Sequence, residues 1–200
     1  MAQLNCFKAY DIRGRLPDEL NEEIAYRIGR AYAAFLSPAR VIVGRDVRLS
    51  STSLSGALSR GLTEGGADVL DIGLCGTEEV YFATFDSGAD GGIMVTASHN
   101  PLDYNGMKLV RQGSRPISGD SGLQEIRRLA QAGVFAPVAR QGVVQALESK
   151  HSYLRHLLGY IDAAALRPLK IVVNAGNGCA GPIIDLLEQQ LPFEIVKICH

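Results

Sequence analysis

Short apolar runs alternate with helical stripes along the first half of this chain, and that alternation leaves few folds open. Leu20, Ile24, Ile28, Ala31 and Phe35 recur at three- and four-residue steps, behind a capping Asn21 and the acidic pair Glu22 and Glu23 that complements a helix dipole. Arg40-Val41-Ile42-Val43 reads as a short buried strand, and Ser50, Ser51 and Thr52 offer caps for a helix carrying Leu54, Ala57, Leu58 and Leu62. Gly65-Gly66 ends it. Ala67 to Gly73 is the next strand, Thr77 with Glu78 and Glu79 opens a helix bearing Val80, Tyr81, Ala83 and Phe85, and Gly91 to Val95 is a third strand. Strands joined through helices pair in parallel, which predicts a doubly wound α/β domain. Leu109-Val110-Arg111 and Arg115-Pro116-Ile117, flanking Gln112-Gly113-Ser114, predict a hairpin that makes the mostly parallel sheet mixed, and Asp120 to Gln131 resumes helix.

In such sheets ligands sit beyond the carboxyl ends of the strands, and two polar segments fall there: Gly44 to Arg48, and Thr96-Ala97-Ser98-His99-Asn100-Pro101. The second is the richer in chemistry. Ser98 follows a β-branched run that stops at small and polar residues, so it is expected on display, with Pro101 ending the strand and Asn105-Gly106 turning Lys108 back toward the loop. A serine so placed can carry a phosphoryl group, which brings about −1.5 to −2 charges and needs a nearby cation. An ordinary polar loop fits the same spacing. A Ser98-His99 hydrolase pair is not expected, because neighbouring side chains of an extended segment diverge and no G-x-S-x-G elbow is present. Asp46, between Arg45 and Arg48, is expected to rigidify its turn through an ion pair.

Thr96 to Pro101, followed by Tyr104-Asn105-Gly106-Met107-Lys108 and preceded far upstream by Phe7-Lys8-Ala9-Tyr10-Asp11-Ile12-Arg13-Gly14, resembles the alpha-D-phosphohexomutase superfamily, in its bacterial phosphomannomutase/phosphoglucomutase branch. The resemblance runs through all 200 residues. It implies interconversion of hexose 6-phosphate and hexose 1-phosphate, mannose first and glucose or both as the alternative, through a hexose 1,6-bisphosphate intermediate that also serves as activator. It implies Ser98 as nucleophile and phosphate carrier, Lys108 as general acid/base or charge stabiliser, and Tyr10, Arg13, His99 and Asn100 as residues that position substrate and phosphoserine. A Mg²⁺ ion is implied, with a phosphoryl oxygen on Ser98 the ligand from this part of the chain; the family's aspartate-rich loop does not occur in it. The family's G-x-D-x-R signature implies that Gly44 to Arg48 steadies the serine loop.

Periodicity fails between Gly133 and Ser149, which places domain I over residues 1–140, a linker over 141–150 and the start of a second α/β domain over 151–200. That second unit holds one helix, with Tyr153, Leu154, Leu157, Leu158 and Ile161, then one strand–helix–strand piece with strands at Leu169 to Val173 and Phe193 to Ile198. So small a core predicts a fragment or a unit that borrows structure from elsewhere; the resemblance favours a fragment and, since the family's aspartate-rich loop and sugar-recognising domains do not occur here, implies that it is inactive alone as a mutase. Gly176-Asn177-Gly178-Cys179-Ala180-Gly181 matches G-x-G-x-x-G, so a dinucleotide-binding module is a rival reading and a noncatalytic remnant another. The ribose-binding acid is missing: Cys199-His200 stand where it belongs, which favours a plain strand-to-helix turn. His151 and His156 are expected at the surface, and the four dispersed cysteines as free, small, buried residues of a reducing compartment. Lys plus Arg total 20 against 21 for Asp plus Glu, which argues against nucleic acid and anionic membrane as partners. Without a basic, apolar leader in Met1 to Cys6, the expected location is cytoplasmic, with a phosphosugar as partner and the oligomeric state open.

Overall fold

A computed structural model describes residues 3–200. Its first sheet runs in the order β1 (Ile12–Arg15), β5 (Tyr104–Arg111), β4 (Gly91–Val95), β2 (Arg40–Arg45), β3 (Asp68–Leu74), β7 (Val144–Ala146), with β6 (Arg115–Pro116) paired to β5. The pairs β2–β3, β2–β4 and β3–β7 are parallel, while β5 runs antiparallel to β4, β1 and β6. The sheet is mixed as expected, and its antiparallel part lies on the edge that carries the polar motifs.

Alternating side chains explain why helices cover both faces. Val41, Val43, Val69, Ile93 and Val95 point to a core shared with Ile28 of α1 (Glu22–Leu36), Leu58 and Leu62 of α2 (Ser51–Glu64) and Ile126 of α4 (Leu123–Ala132). Ile42, Ile72 and Met94 point the other way, to Val80 and Ala83 of α3 (Thr77–Asp86). Asn21 caps α1 by accepting from Ile24 N at 3.0 Å. Tyr32 is fully buried and donates its hydroxyl to Val110 O at 2.7 Å, which satisfies the one polar group it takes into the core. α1 and α2 approach at Gly29 and Gly61, where a Cβ would lie 2.3 Å from Leu58 O and 2.2 Å from Tyr26 O respectively.

Several local expectations are revised. The stretch expected as linker over 141–150 contains β7, which extends the first sheet and is pinned where Asp68 accepts from Arg140 at 2.8 Å and from Val143 N at 2.9 Å. Those two donors hold the Asp68 carboxyl below its ordinary range, the Val143 amide contributing most. The helix expected from Asp120 starts at Leu123, after a 3₁₀ turn over Gly119–Ser121. Ser50 stands at the start of α2 but does not cap it; its hydroxyl accepts from Asn105 instead. Phe85 is exposed. Cys6 and Cys75 are buried, and burial pushes the Cys6 thiol up to about 11, whereas Cys179 is half-buried and Cys199 exposed, so the buried-cysteine expectation fails for those two.

Beyond β7, α5 (Lys150–Leu158) docks on α3. Phe82 stacks against Tyr153 and His156, with centroids 5.4 and 4.8 Å apart, so His156 is exposed on one side and packed on the other. Glu79 is buried, and a buried carboxylate requires partners. It has them in Lys150 Nζ at 2.9 Å and the Gly76 amide at 2.8 Å, while Lys150 also donates to Leu74 O. β8 (Leu169–Asn174) and β9 (Phe193–Ile198) then pair in parallel around α6 (Ala180–Glu188) as a separate two-stranded sheet.

Candidate active site

Strand β4 ends at Val95, and the chain then builds a loop held by partners from several segments. Thr96 N donates to Gly106 O at 2.9 Å, and the Thr96 hydroxyl donates to Asp46 Oδ2 at 2.7 Å while accepting from Ser98 N at 2.9 Å. Asp46 comes from the end of β2, the parallel neighbour of β4, so sheet register alone brings the two segments side by side. Its other oxygen accepts from Ser51 Oγ at 2.5 Å and from Arg48 N at 3.0 Å. The expected ion pair is with Arg48, whose Nε lies 3.5 Å from Asp46, whereas Arg45 turns to Asp71 at 3.4 Å. The steadying role expected for Gly44 to Arg48 thus has its atoms.

Ser98 is exposed, as expected, and adopts a left-handed backbone with φ 52°. That conformation is unfavourable for a serine by about 1–3 kcal/mol and persists only where surroundings impose it. It also changes the geometry of its neighbour. Ser98 Oγ stands 3.3 Å from His99 Nδ1, so the expectation that these side chains diverge is wrong: the segment is turned rather than extended.

The cations arrive from the other side of β5. β1 pairs antiparallel with β5, setting Arg13 opposite Gly106 and Ile12 opposite Met107, so Asp11 follows opposite Lys108. Asp11, Arg13 and Lys108 therefore share one face. Asp11 Oδ2 lies 2.9 Å from Arg13 Nη2 and 3.5 Å from Lys108 Nζ, and Arg13 Nη1 donates to Asn100 Oδ1 at 2.7 Å. Only glycine fits at position 106, since a Cβ there would meet Ile12 O at 2.2 Å. Asn105 is completely buried and donates to Ser50 and Ser51 at 2.8 and 2.9 Å, tying the start of β5 to α2; Asn105 and Gly106 stand inside that strand, not in the turn expected of them, because both continue the pairing with β1.

Of the residues expected at the site, Ser98, His99, Asn100 and Arg13 are linked by direct contacts, and Lys108 joins them through Asp11. Tyr10 is 80% exposed and makes no hydrogen bond to the loop among the described residues. Asp11 and Asn105 were legible only as motif members, with no role attached. A cavity of about 530 Å³ opens beside Ser98, lined also by Asp46, Glu78, Leu102, Gly178 and Cys179. Among the described residues no group of three or more His, Cys, Asp or Glu is placed to hold a metal ion. Both Asp46 oxygens are already engaged, so the described side chains do not make a metal site by themselves.

The glycine turn on the far wall of that cavity does not suit a dinucleotide. Phosphate cradles need free backbone N–H groups. Here Gly176 N donates to Asn174 Oδ1, Asn177 N to Cys199 O beyond β9 and Gly178 N to Ala175 O, so three of the turn's amides are already used.

Comparison with known proteins follows the same lines. A family model described as phosphoglucomutase/phosphomannomutase, alpha/beta/alpha domain I, matches residues 4–136. A phosphomannomutase of Salmonella typhimurium is 60% identical over 99% of this chain and 45% of its own length. Phosphohexose mutases of Xanthomonas campestris pv. campestris are 58% identical over 98% of the chain and 44% of theirs. The crystal structure of a phosphoglucomutase/phosphomannomutase family protein from Burkholderia thailandensis superimposes with a TM-score of 0.88 at 37% identity, covering 100% of this chain and 44% of that one. The chain thus spans a little under half the length of the relatives it matches. No helix among the described residues is long and apolar enough to cross a membrane.

Proposed function

Because the chain belongs to the phosphoglucomutase/phosphomannomutase family and carries its domain I, we propose that it supplies the phosphoryl-carrying half of a phosphomannomutase that interconverts mannose 6-phosphate and mannose 1-phosphate. The observation that carries this reading is Ser98: an exposed hydroxyl in a strained, braced loop that Arg13 contacts at Asn100 and to which Lys108 is linked through Asp11. A relaxed surface serine needs no such bracing.

The reaction starts from Ser98 bearing a phosphoryl group. The sugar O1 attacks phosphorus in line, forming the new P–O bond as the bond to Ser98 Oγ breaks, and the proton lost from O1 is balanced by one gained at Oγ. The product is mannose 1,6-bisphosphate. After it turns over in the cleft, Ser98 Oγ attacks the 6-phosphoryl group in line as the P–O6 bond breaks, the proton lost from Oγ is balanced by one gained at O6, and the phosphoserine is regenerated with release of mannose 1-phosphate. Lys108 stands as the proton carrier and positive charge for these steps, and Arg13 holds Asn100 against the loop while Asp11 aligns both cations. Tyr10 is assigned to the substrate side of the cleft, and His99 to the immediate surroundings of Oγ. A Mg²⁺ ion would add neutralisation of phosphoryl oxygen charge. Of this chain's groups a phosphoryl oxygen on Ser98 is its one proposed ligand. Glucose phosphates are the alternative substrates, hexose 1,6-bisphosphate the activator and the cytoplasm the setting.

The reading predicts a single stable phosphate on the tryptic peptide containing Ser98. Phosphopeptide mass spectrometry of the full-length protein, before and after glucose 1,6-bisphosphate, checks it: occupancy should rise with the bisphosphate. A Ser98 peptide that stays unmodified under both conditions removes the proposal.

A further inference from the structure

The loop around Ser98 is organised by one cation, and the direction of its peptide groups follows from that. The Arg48 guanidinium donates to four backbone carbonyls: Ser98 O at 2.9 Å, Asn100 O at 2.5 Å, Pro101 O at 2.8 Å and Tyr104 O at 3.0 Å. Its Nε faces Asp46. With its donors so engaged, Arg48 is not free to bind a phosphoryl group itself. Its influence must pass through the backbone.

A trans peptide is planar, and its C=O and the following N–H point in opposite directions. Drawing the Ser98 carbonyl onto Arg48 therefore turns the His99 N–H away from Arg48. That amide has no acceptor among the described residues, and both Ser98 and His99 are exposed. The second brace acts in the same sense: Ser98 N is held by Thr96 Oγ1, so the peptides on both sides of Ser98 are fixed, and with them the left-handed φ of 52°.

We propose that Arg48 is a positioning residue for phosphoryl transfer, and that the group it positions is the His99 N–H, which donates to an oxygen of the phosphoryl group carried by Ser98. The inference rests on the mutase reading above. It assigns the amide to an anionic, tetrahedral phosphoryl ligand. A preorganised backbone donor aimed where charge develops costs no reorganisation during transfer, and removing one such donor typically lowers turnover about 10²–10³-fold.

The test uses the full-length protein with ¹⁵N-labelled histidine, phosphorylated with glucose 1,6-bisphosphate. The His99 amide proton should move downfield when Ser98 gains its phosphate. In Arg48→Met that displacement should vanish while Ser98 can still be phosphorylated, and kcat should fall about 10²-fold with KM within about threefold. Arg48→Lys, with a compact ammonium that cannot span four carbonyls, should recover part of both. No phosphate on wild-type Ser98 overturns the mutase reading itself. Phosphate without a displaced His99 amide, or a displacement that survives in Arg48→Met, overturns the positioning role and leaves the mutase reading standing. If Arg48→Met does not fold, the wild-type displacement and its reduction in Arg48→Lys decide the matter: both present supports the role, either missing refutes it.

Discussion

Replacing Ser98 with alanine is expected to abolish the proposed mutase turnover of the full-length protein, by at least about 10³-fold, because in the proposed mechanism the serine hydroxyl carries phosphorus between the two ends of the sugar. The loop should survive the change. Its conformation is held by Arg48 on four carbonyls, by Thr96 on the Ser98 amide and by Arg13 on Asn100, none of which uses the serine hydroxyl. Stability should therefore shift by no more than about 0.5 kcal/mol. Steady-state kinetics with mannose 1-phosphate, beside thermal unfolding of the same sample, separates the two effects. Turnover within tenfold of wild type in a folded Ser98→Ala protein contradicts the assignment.

The largest stability effect is expected far from the site. Gly61→Ala forces a methyl group to within 2.2 Å of Tyr26 O, and that oxygen belongs to helix backbone that cannot rotate aside. α1 and α2 must separate, and α1 also carries Tyr32, whose hydroxyl anchors β5. A loss of about 2–3 kcal/mol is expected, with the unfolding midpoint of a chain of this size falling by about 4–12 °C. Gly56→Ala on the same helix is the control, since an added Cβ there meets nothing within 4 Å and alanine is the better helix former by up to about 1 kcal/mol. Thermal unfolding of the pair should order them Gly56→Ala, wild type, Gly61→Ala; equal midpoints would mean the helices do not meet as described.

How far the chain itself announced these features depends on what kind of contact each one is. The strands at Arg40 and Gly91 were legible because both their faces are buried, and such strands read as unbroken apolar runs, whereas within Asp68–Leu74 only Val69 and Ile72 are buried and the strand showed through its Val, Leu and Ile content. β7 was not: Val144, Gln145 and Ala146 are all exposed, and the strand is held by Asp68 and Arg140 rather than by burial. The site showed its side chains but hid their connections. Arg48 acts on carbonyl oxygens about fifty positions away, and every residue has a carbonyl, so no residue type marks its targets. Asp11 acquires its role from the β1–β5 register, which follows only once the antiparallel edge is known. The closeness of Ser98 and His99 escaped notice because a left-handed serine is uncommon, and the surrounding braces that impose it are themselves nonlocal.

The central claim is that phosphorus leaves Ser98 for the sugar and returns to it, and one measurement addresses this without inference from rates of mutants. Full-length enzyme carrying ³²P on Ser98 is mixed rapidly with excess unlabelled mannose 1-phosphate, and the reaction is quenched within a single turnover. Label should pass from protein to mannose bisphosphate at least as fast as kcat. Label that stays on the protein while product accumulates, or that departs only as inorganic phosphate, would contradict the account.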